Sequence, residues 1–385
     1  MRKVPKLRFK EFSDELNNYH FIDIGKVKIG LTHTPKYVEK GIPFLSSKNI
    51  SKGYIDFDEV QYISKEEFES MPKSTKPQKG DILFTRVGSN LGNPIVLEEE
   101  KEFGIFVSLG AIKVNKNFNN FYIKYWIDTN YFWKQVEMKV AGGAKNNLNT
   151  TWLNEFKLST PSLQEQEKIA NFLSSVDKKI SLTEEKLELF REYKKGVMQK
   201  IFSQELRFKD SNGNDYPEWE EKSFDEVYTT VSNKEFQIKN SEILNIGKYR
   251  VIDQGKEKIA GYSNNELKVF KDIPIIVYGD HTTNVKFVDF NFILGGDGTK
   301  LLTVKNQRHL KFLYFALDNY NITPEGYKRH FSILKEIILY IPSSLEEQEK
   351  IADFLSSIDS KIESIEKELE GLKEFKKGLL QQMFV

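Results

Sequence analysis

The sequence of 385 residues contains no cysteine. That absence excludes a disulfide framework, a thiolate zinc site and a cysteine nucleophile, and it fits a reducing compartment. There is no apolar run approaching the ~18–20 residues that a membrane-spanning helix needs. Neither sign of charge is in excess: 57 Lys plus Arg stand against 56 Asp plus Glu, a net charge of +1. A wholesale basic coat for nucleic acid is thereby excluded, so contact with DNA or RNA has to come from local patches. The start, MRKVPKLRFK, is basic but is not followed by a hydrophobic signal core, and the expectation is a cytoplasmic protein. Histidine is sparse. His20, His33, His281, His309 and His330 show no i, i+4 pairing and no metal-ligand spacing, so the expectation is no metal site. No Gly-Lys pair is followed by Ser or Thr, which leaves no P-loop, and the Asn/Asp-Pro-Pro-aromatic tetrad of amino-methyltransferases is missing.

What is present is enough apolar residue, 39%, for a packed core in each of two or three domains. Aromatics are common, with 29 Phe and 17 Tyr. Most read as core and strand packing rather than as stacking surfaces for bases.

The dominant feature is a repeat. LQEQEKIANFLSSVDKKI begins at Leu163 and LEEQEKIADFLSSIDSKI begins at Leu345, and carried to Phe202 and Phe384 the two segments share 23 of 40 positions. A second echo precedes each: LRFK at Leu7–Lys10 returns at Leu206–Lys209. Between these marks lie two variable stretches with little likeness. Their ends do resemble each other: TWLNEFKLSTP and SILKEIILYIP each read as a final strand leading to a proline and then a helix.

The shared segment carries a coiled-coil period. In the first copy the seam runs Ile169, Leu173, Val176, Ile180, Thr183, Leu187, Phe190, Lys194, Val197, Ile201. In the second it runs Ile351, Leu355, Ile358, Ile362, Ile365, Leu369, Leu372, Lys376, Leu379, Met383. Steps of four and three alternate throughout, and a strict 3.5 period asks for a partner helix. Two such helices in one chain most simply pair with each other. Periodicity leaves parallel and antiparallel open. The repeat favours pseudo-twofold packing, hence an antiparallel pair with one domain expected at each end. Lys194 and Lys376 interrupt the seam near the helix ends; the expectation is that they lie past the paired region and reach to water. The fold class expected is therefore α+β: two mixed α/β domains (residues 1–160 and 205–341) separated by two long antiparallel coiled-coil helices (161–204 and 342–385).

This layout, with PSLQEQEKIANFL and PSSLEEQEKIADFL at the helix starts, resembles the specificity subunit of type I restriction-modification systems. The resemblance covers the whole chain. GDILFTRVG at Gly80–Gly88 and AGGAKNNL at Ala141–Leu148 are similar to pieces of the target recognition domains of that family. The second domain lacks GDILFTRVG; VYGDHTT at Val277–Thr283 and LGGDGTKLL at Leu294–Leu302 resemble another subtype. The resemblance implies a non-catalytic subunit whose two domains each read one half of a split DNA target. It implies double-stranded DNA, two methyltransferase subunits and restriction/translocase subunits as partners, and adenine methylation as the reaction served. It implies no cofactor in this chain, S-adenosylmethionine being held by the methyltransferase and ATP and Mg by the restriction subunit.

Two other classes are weighed against it. A coiled-coil scaffold would not need two large aromatic domains. A stand-alone nuclease carrying a DNA-binding domain could use Asp253 with Glu266-Leu267-Lys268, but an acidic residue upstream of E-x-K is a frequent accident. LGGDGT lacks the G-x-G-x-x-G pattern and is followed by LLTV, which reads as strand.

DNA contact needs Lys, Arg and backbone N–H groups for phosphates, and Arg, Asn, Gln, Ser and Thr for base edges. In the first domain the candidates are Arg86, Ser89 and Asn90 in TRVGSNLGN, then Lys145, Asn146, Asn147 and Asn149 in the loop after a helix expected around 122–140. Ser46, Ser47 and Lys48 are a weaker third group. In the second they are His281, Thr282, Thr283 and Lys286 in GDHTTNVK, Lys300 in GGDGTK, and Lys328, Arg329 and His330 in GYKRHFS. Asp280 and Asp297 read either as base-contacting groups or as plain turn residues.

Overall fold

The computed structural model describes residues 4–50, 53–88, 91–140, 147–306, 308–320, 322–324, 326 and 328–385. The repeated segments form two long helices, Leu163–Phe202 and Leu345–Met383. The chain divides into two compact units. One is Met1–Glu184 with Lys367–Val385, the other Glu185–Glu366. Each unit therefore contains the first part of one long helix and the last part of the other.

In the first unit a four-stranded antiparallel sheet has the order Gly25–Ile29, Leu109–Val114, Ile82–Thr85, Gly92–Val96. Ile82 and Ile112 sit opposite each other in this sheet and are buried. In the second unit the corresponding sheet has the order Tyr228–Val231, Thr299–Val304, Ile275–Gly279, Val285–Val288. The order is the same once strands are counted along each unit: first, fourth, second, third. Each unit adds a second four-stranded sheet and a two-stranded ribbon. The ribbons pair Asn17–His20 with Lys157–Thr160, and Trp219–Ser223 with Ile338–Pro342. Two stretches with little sequence likeness thus share the topology of their main sheet, as expected when only the alternation of apolar positions, not their identity, specifies a sheet; the second sheets differ in strand order.

The helix expected around 122–140 is two helices, Asn120–Ile127 and Asn130–Val140. The first is capped by Asn119, whose side chain accepts from the Tyr122 N–H, a contact of a kind that contributes about 1 kcal/mol. It ends at Asp128, and Thr129 donates its hydroxyl to the Trp126 carbonyl at the break. TKLLTV is strand, as its reading required.

The two short echoes of the sequence meet in space. Arg8 of the first LRFK donates Nε and Nη2 to Glu165 of LQEQ, both at 2.7 Å. Arg207 of the second donates to Glu347 of LEEQ at 3.2–3.3 Å. Phe9 packs edge-on against Phe172, and Phe208 against Phe354. The following glutamines are equally matched. Gln166 accepts from the Asn119 N–H and donates to the Pro161 carbonyl, and Gln348 accepts from the His309 N–H and donates to the Pro342 carbonyl. In each unit the Glu-Gln pair ties the long helix to the opening segment, the final strand and the start of a domain helix.

All the seam positions named above are buried or half-buried, including the twelve aliphatic and aromatic ones proposed to pair the helices: Ile169, Leu173, Val176, Ile180, Leu187, Phe190, Ile351, Leu355, Ile358, Ile362, Leu369 and Leu372. Within the first unit, Asp177 meets Lys376 at 2.6 Å and Glu184 meets Lys373 at 2.6 Å. Within the second, Arg191 meets Glu366 at 2.7 Å and Lys194 meets Asp359 at 2.7 Å. As one number rises its partner falls, so the helices run antiparallel in each unit. Lys194 and Lys376 correct the expectation that they lie beyond the pairing: each is inside it, facing a carboxylate from the other helix. A buried-edge ammonium needs such a partner, because burial without one is costly.

Candidate nucleic-acid interface

The described candidates Arg86, Asn147 and Ser47 of the first unit converge on one end of the main sheet. Arg86 follows the strand Ile82–Thr85, and its guanidinium donates to the Leu148 carbonyl at 3.3 Å, the Val107 carbonyl at 2.9 Å and Asn147 Oδ1 at 3.2 Å. The Leu148 N–H returns a bond to the Arg86 carbonyl at 2.7 Å. The loops after residues 85 and 146 are therefore stitched together. Arg86 is half-buried, and burial pushes its guanidinium pKa down from the ordinary value. Asn147 is exposed beside it, and Asn149 caps the short helix Thr150–Asn154 through the Thr151 N–H. Ser89, Asn90, Lys145 and Asn146 lie outside the described residues. In the weaker third group the Ser47 N–H donates to Ser108 Oγ, which places that loop beside the Val107 carbonyl that Arg86 holds.

The second unit repeats the arrangement with other residues. His281 follows the equivalent strand, Ile275–Gly279, and its Nδ1 lies 3.0 Å from the Lys328 carbonyl. Lys328 and Arg329 are exposed, and Lys300 is half-buried with its ammonium over the Phe331 ring. Thus the loop after the equivalent strand again meets the segment before the last helix and strand. The like positions of AGGAKNNL and GYKRHFS in their domains anticipate this.

Two candidates have another task. Lys286 is 7% exposed, and its ammonium donates to the Asp253 carbonyl at 2.8 Å and the Glu257 carbonyl at 2.6 Å. Desolvation lowers its pKa, with Asp253 opposing. A buried ammonium with those partners is not presented to a phosphate; it fixes the 253–257 loop. His330 is fully buried, and its N–H and Nδ1 both lie on the Asp280 carbonyl, while Asp280 Oδ1 accepts from the Phe331 N–H. Asp280 is buried too, so its role is the turn and the start of the short helix Phe331–Leu334. Thr282 donates to the Gln254 carbonyl, and Thr283 to the Thr282 carbonyl at 2.7 Å, with Thr283 in the left-handed region at φ +59°.

Gln254 escaped the sequence reading. Its Oε1 accepts from the His281 N–H, its Nε2 donates to the Asp297 carbonyl, and its own carbonyl accepts from Thr282 and Asn284. Gly298, at φ +86°, leaves room for it: a Cβ there would stand 2.9 Å from Gln254 Oε1 and 2.8 Å from His281. One glutamine thus joins three loops. A lone Gln between Asp253 and Gly255 carries no motif, so no signal marked it.

The nuclease constellation does not assemble. Asp253 faces Lys286 and the Gly255 N–H, whereas Glu266 takes Tyr249 and Lys248. Among the described residues no group of three or more His, Asp or Glu could hold a metal ion. No described helix is long and apolar enough to cross a membrane.

Two domains with the same main-sheet strand order, each with a polar loop pair at one sheet end and unlike residues there, sit on repeated helices. That is the build of a modular recognition protein. The family model for the type I restriction modification DNA specificity domain matches residues 14–189 and 216–374, and the chain belongs to that family. The chain is similar to two proteins of Methanocaldococcus jannaschii. One, described as the putative MjaX type I restriction enzyme specificity subunit, is 27% identical and covers 92% of this chain and 89% of its own. The other, the MjaVIII specificity subunit, is 23% identical over 90% and 88%. Among solved structures, the S subunit of a type I system from M. genitalium matches 100% of this chain and 99% of its own at TM-score 0.62 and 17% identity. A chain from a structure on assembly and conformational transition of the type I system matches 96% and 97% at TM-score 0.52 and 13% identity. These likenesses show the fold.

Proposed function

We propose that this chain is the non-catalytic DNA-reading subunit of a type I restriction-modification complex. Residues 1–160 and 205–341 are the target recognition domains, each reading one half of a split target. The long helices dock two methyltransferase subunits that methylate adenine with S-adenosylmethionine, and restriction subunits using ATP and Mg join that assembly. The protein works in the cytoplasm. The observation that supports this best is the same main-sheet strand order in both units carrying different residues at the same loop pair: Arg86 and Asn147 in one, His281 with Lys328 and Arg329 in the other. A constant frame with variable contact loops is what two independent half-site readers require. The loops offer few cations, so the phosphate term is modest and the assembled complex, rather than this chain alone, supplies much of the grip.

Methylome sequencing of a strain expressing this chain with the methyltransferase of its own system tests the reading. Adenine methylation within a two-part motif with an unspecified gap is expected. A continuous motif, or no new methylation, refutes it.

A further inference from the structure

At the loop end of the main sheet the two units share a backbone frame. Thr85 lies opposite Leu109, and Gly279 opposite Thr299, which makes the next residues, Arg86 and Asp280, equivalent. The Arg86 N–H donates to the Ser108 carbonyl at 2.9 Å, and the Asp280 N–H to the Gly298 carbonyl at 2.6 Å. Their own carbonyls accept from the Leu148 and His330 N–H groups, at 2.7 and 2.8 Å. The frame repeats bond for bond, although none of these equivalent residues is identical.

The side chain that locks the frame comes from different places. In the first unit it is Arg86, whose Nη1 donates to the Val107 carbonyl, two residues before Leu109. In the second unit that position holds Asp280, whose carboxylate accepts from the Phe331 N–H and leaves the neighbouring carbonyl to another donor. The carbonyl two residues before Thr299 belongs to Asp297, and it accepts from Gln254 Nε2 at 3.3 Å. Gln254, half-buried, thus does for Asp297 what Arg86 does for Val107, from a loop outside the frame.

Gln254 also holds the turn that carries the candidate contacts. Its Oε1 accepts from the His281 N–H at 3.2 Å, and its carbonyl from the Thr282 and Asn284 side chains. Thr283, between those two, stands at φ +59°, where a β-branched residue persists only if its surroundings over-determine it. Two backbone bonds close the turn, from the Thr283 N–H to Gly279 and from the Gly279 N–H to Asn284, each at 2.8 Å; the bonds to Gln254 supply the rest. The loop that presents Gln254 is pinned in turn by the Lys286 ammonium on the Asp253 and Glu257 carbonyls. A continuous path therefore runs from the strand Val285–Val288 through the 253–257 loop to the His281 turn.

We propose that Gln254 is a positioning residue for base recognition by the second domain: it fixes the His281 turn against the start of the strand Thr299–Val304 and so decides which base edges that turn meets. It acts through the turn, not on the DNA. Long cations on phosphates tolerate a small shift of the backbone beneath them, whereas hydrogen bonds to base edges do not, so the effect falls on specificity rather than on the salt-dependent grip. The inference rests on the DNA-reading role proposed above and gives it a residue outside the loop pair.

The test compares the full chain with Gln254→Met, which keeps the length of the side chain and loses both amide bonds, and with Gln254→Glu, which keeps the acceptor for the His281 N–H and loses the donor for Asp297. Each is expressed with the methyltransferase of the same system. Methylome sequencing is expected to show base preference weakened at least about tenfold within one half of the motif, more for Met than for Glu, with the other half and the gap unchanged. Hydrogen exchange is expected to quicken in 280–284 and 296–299 in the same order, while the salt slope of DNA binding by the complex stays put. A motif that all three chains share overturns the proposal. So does a changed motif with unchanged exchange, because Gln254 then touches the base itself. Lower methylation at every site with both half-site preferences intact and a lower melting temperature also overturns it, leaving the residue a structural one only. If the unsubstituted chain yields no two-part motif, the DNA-reading role falls, and this inference with it.

Discussion

Replacing Arg207 by Met removes the main partner of a carboxylate that has no access to water. Glu347 is 0% exposed and accepts from Arg207 and from Trp219 Nε1 at 3.2 Å. Arg207 also holds the Tyr216 and Pro217 carbonyls, at 3.1 and 2.8 Å. Leaving a buried charge with one neutral donor costs about 3–5 kcal/mol. For a unit of this size each kcal/mol lowers the melting temperature by about 2–4 °C, so Arg207→Met is expected to lower it by roughly 6–20 °C. The double variant Arg207→Met, Glu347→Leu removes both charges and leaves mainly the Trp219 N–H unpaired, a loss of about 1–3 kcal/mol. The double variant is therefore expected to be the more stable of the two, with a coupling of about 1–3 kcal/mol between the sites. Hydrogen exchange followed by mass spectrometry locates the effect, since protection is expected to fall first in 205–220 and 345–352 of the second unit. A neutral Arg207→Met, or a double variant as unstable as the single, would show that the LRFK echo does not anchor the helix start.

Alanine at Lys328 and Arg329 is expected to weaken DNA binding by the assembled complex and to reduce the slope of affinity against salt by about one for each phosphate no longer neutralised; an unchanged titration removes this segment from the interface. Lys286→Met is expected to do the opposite, loosening the 253–257 loop in hydrogen exchange while the salt slope stays put. At the seam, Asp177→Lys is expected to destabilise the first unit by setting like charges together, and Asp177→Lys with Lys376→Asp to restore only part of the loss, because Lys124 also meets Asp177 at 3.0 Å; equal melting of the two variants refutes the pairing. Burial pushes the Asp128 carboxyl up to about 6, with Lys124 and Lys376 opposing. The folded state then keeps a proton that the unfolded chain releases, so the group's contribution falls as pH rises from about 4 through 6. Asp128→Asn is expected to flatten that part of a stability–pH curve, and an unaltered curve would show that the group titrates normally.

The helices were legible because a 3.5-residue period and a near-copy of it are one-dimensional facts. Ile169, Leu173, Ile351 and Leu355 need no coordinates to be assigned to a seam. So was the family, because LQEQEKIANFL and LEEQEKIADFL repeat the same helix start. Direction was legible only through the repeat, which favours pseudo-twofold packing, since a period is blind to it; the pairing of Lys376 with Asp177 and of Lys194 with Asp359 bears the antiparallel expectation out. The loop candidates were half legible. Gly, Asn and basic residues mark a polar turn, but they do not distinguish an ammonium in water from one turned inward. Lys286 and His330 look like Lys328 and Arg329 in sequence and differ from them only in burial. The reason is physical: backbone periodicity is set by neighbours a few residues away, whereas the desolvation and partners of a loop side chain depend on segments such as Asp253 and Gln254, which only tertiary folding brings to it.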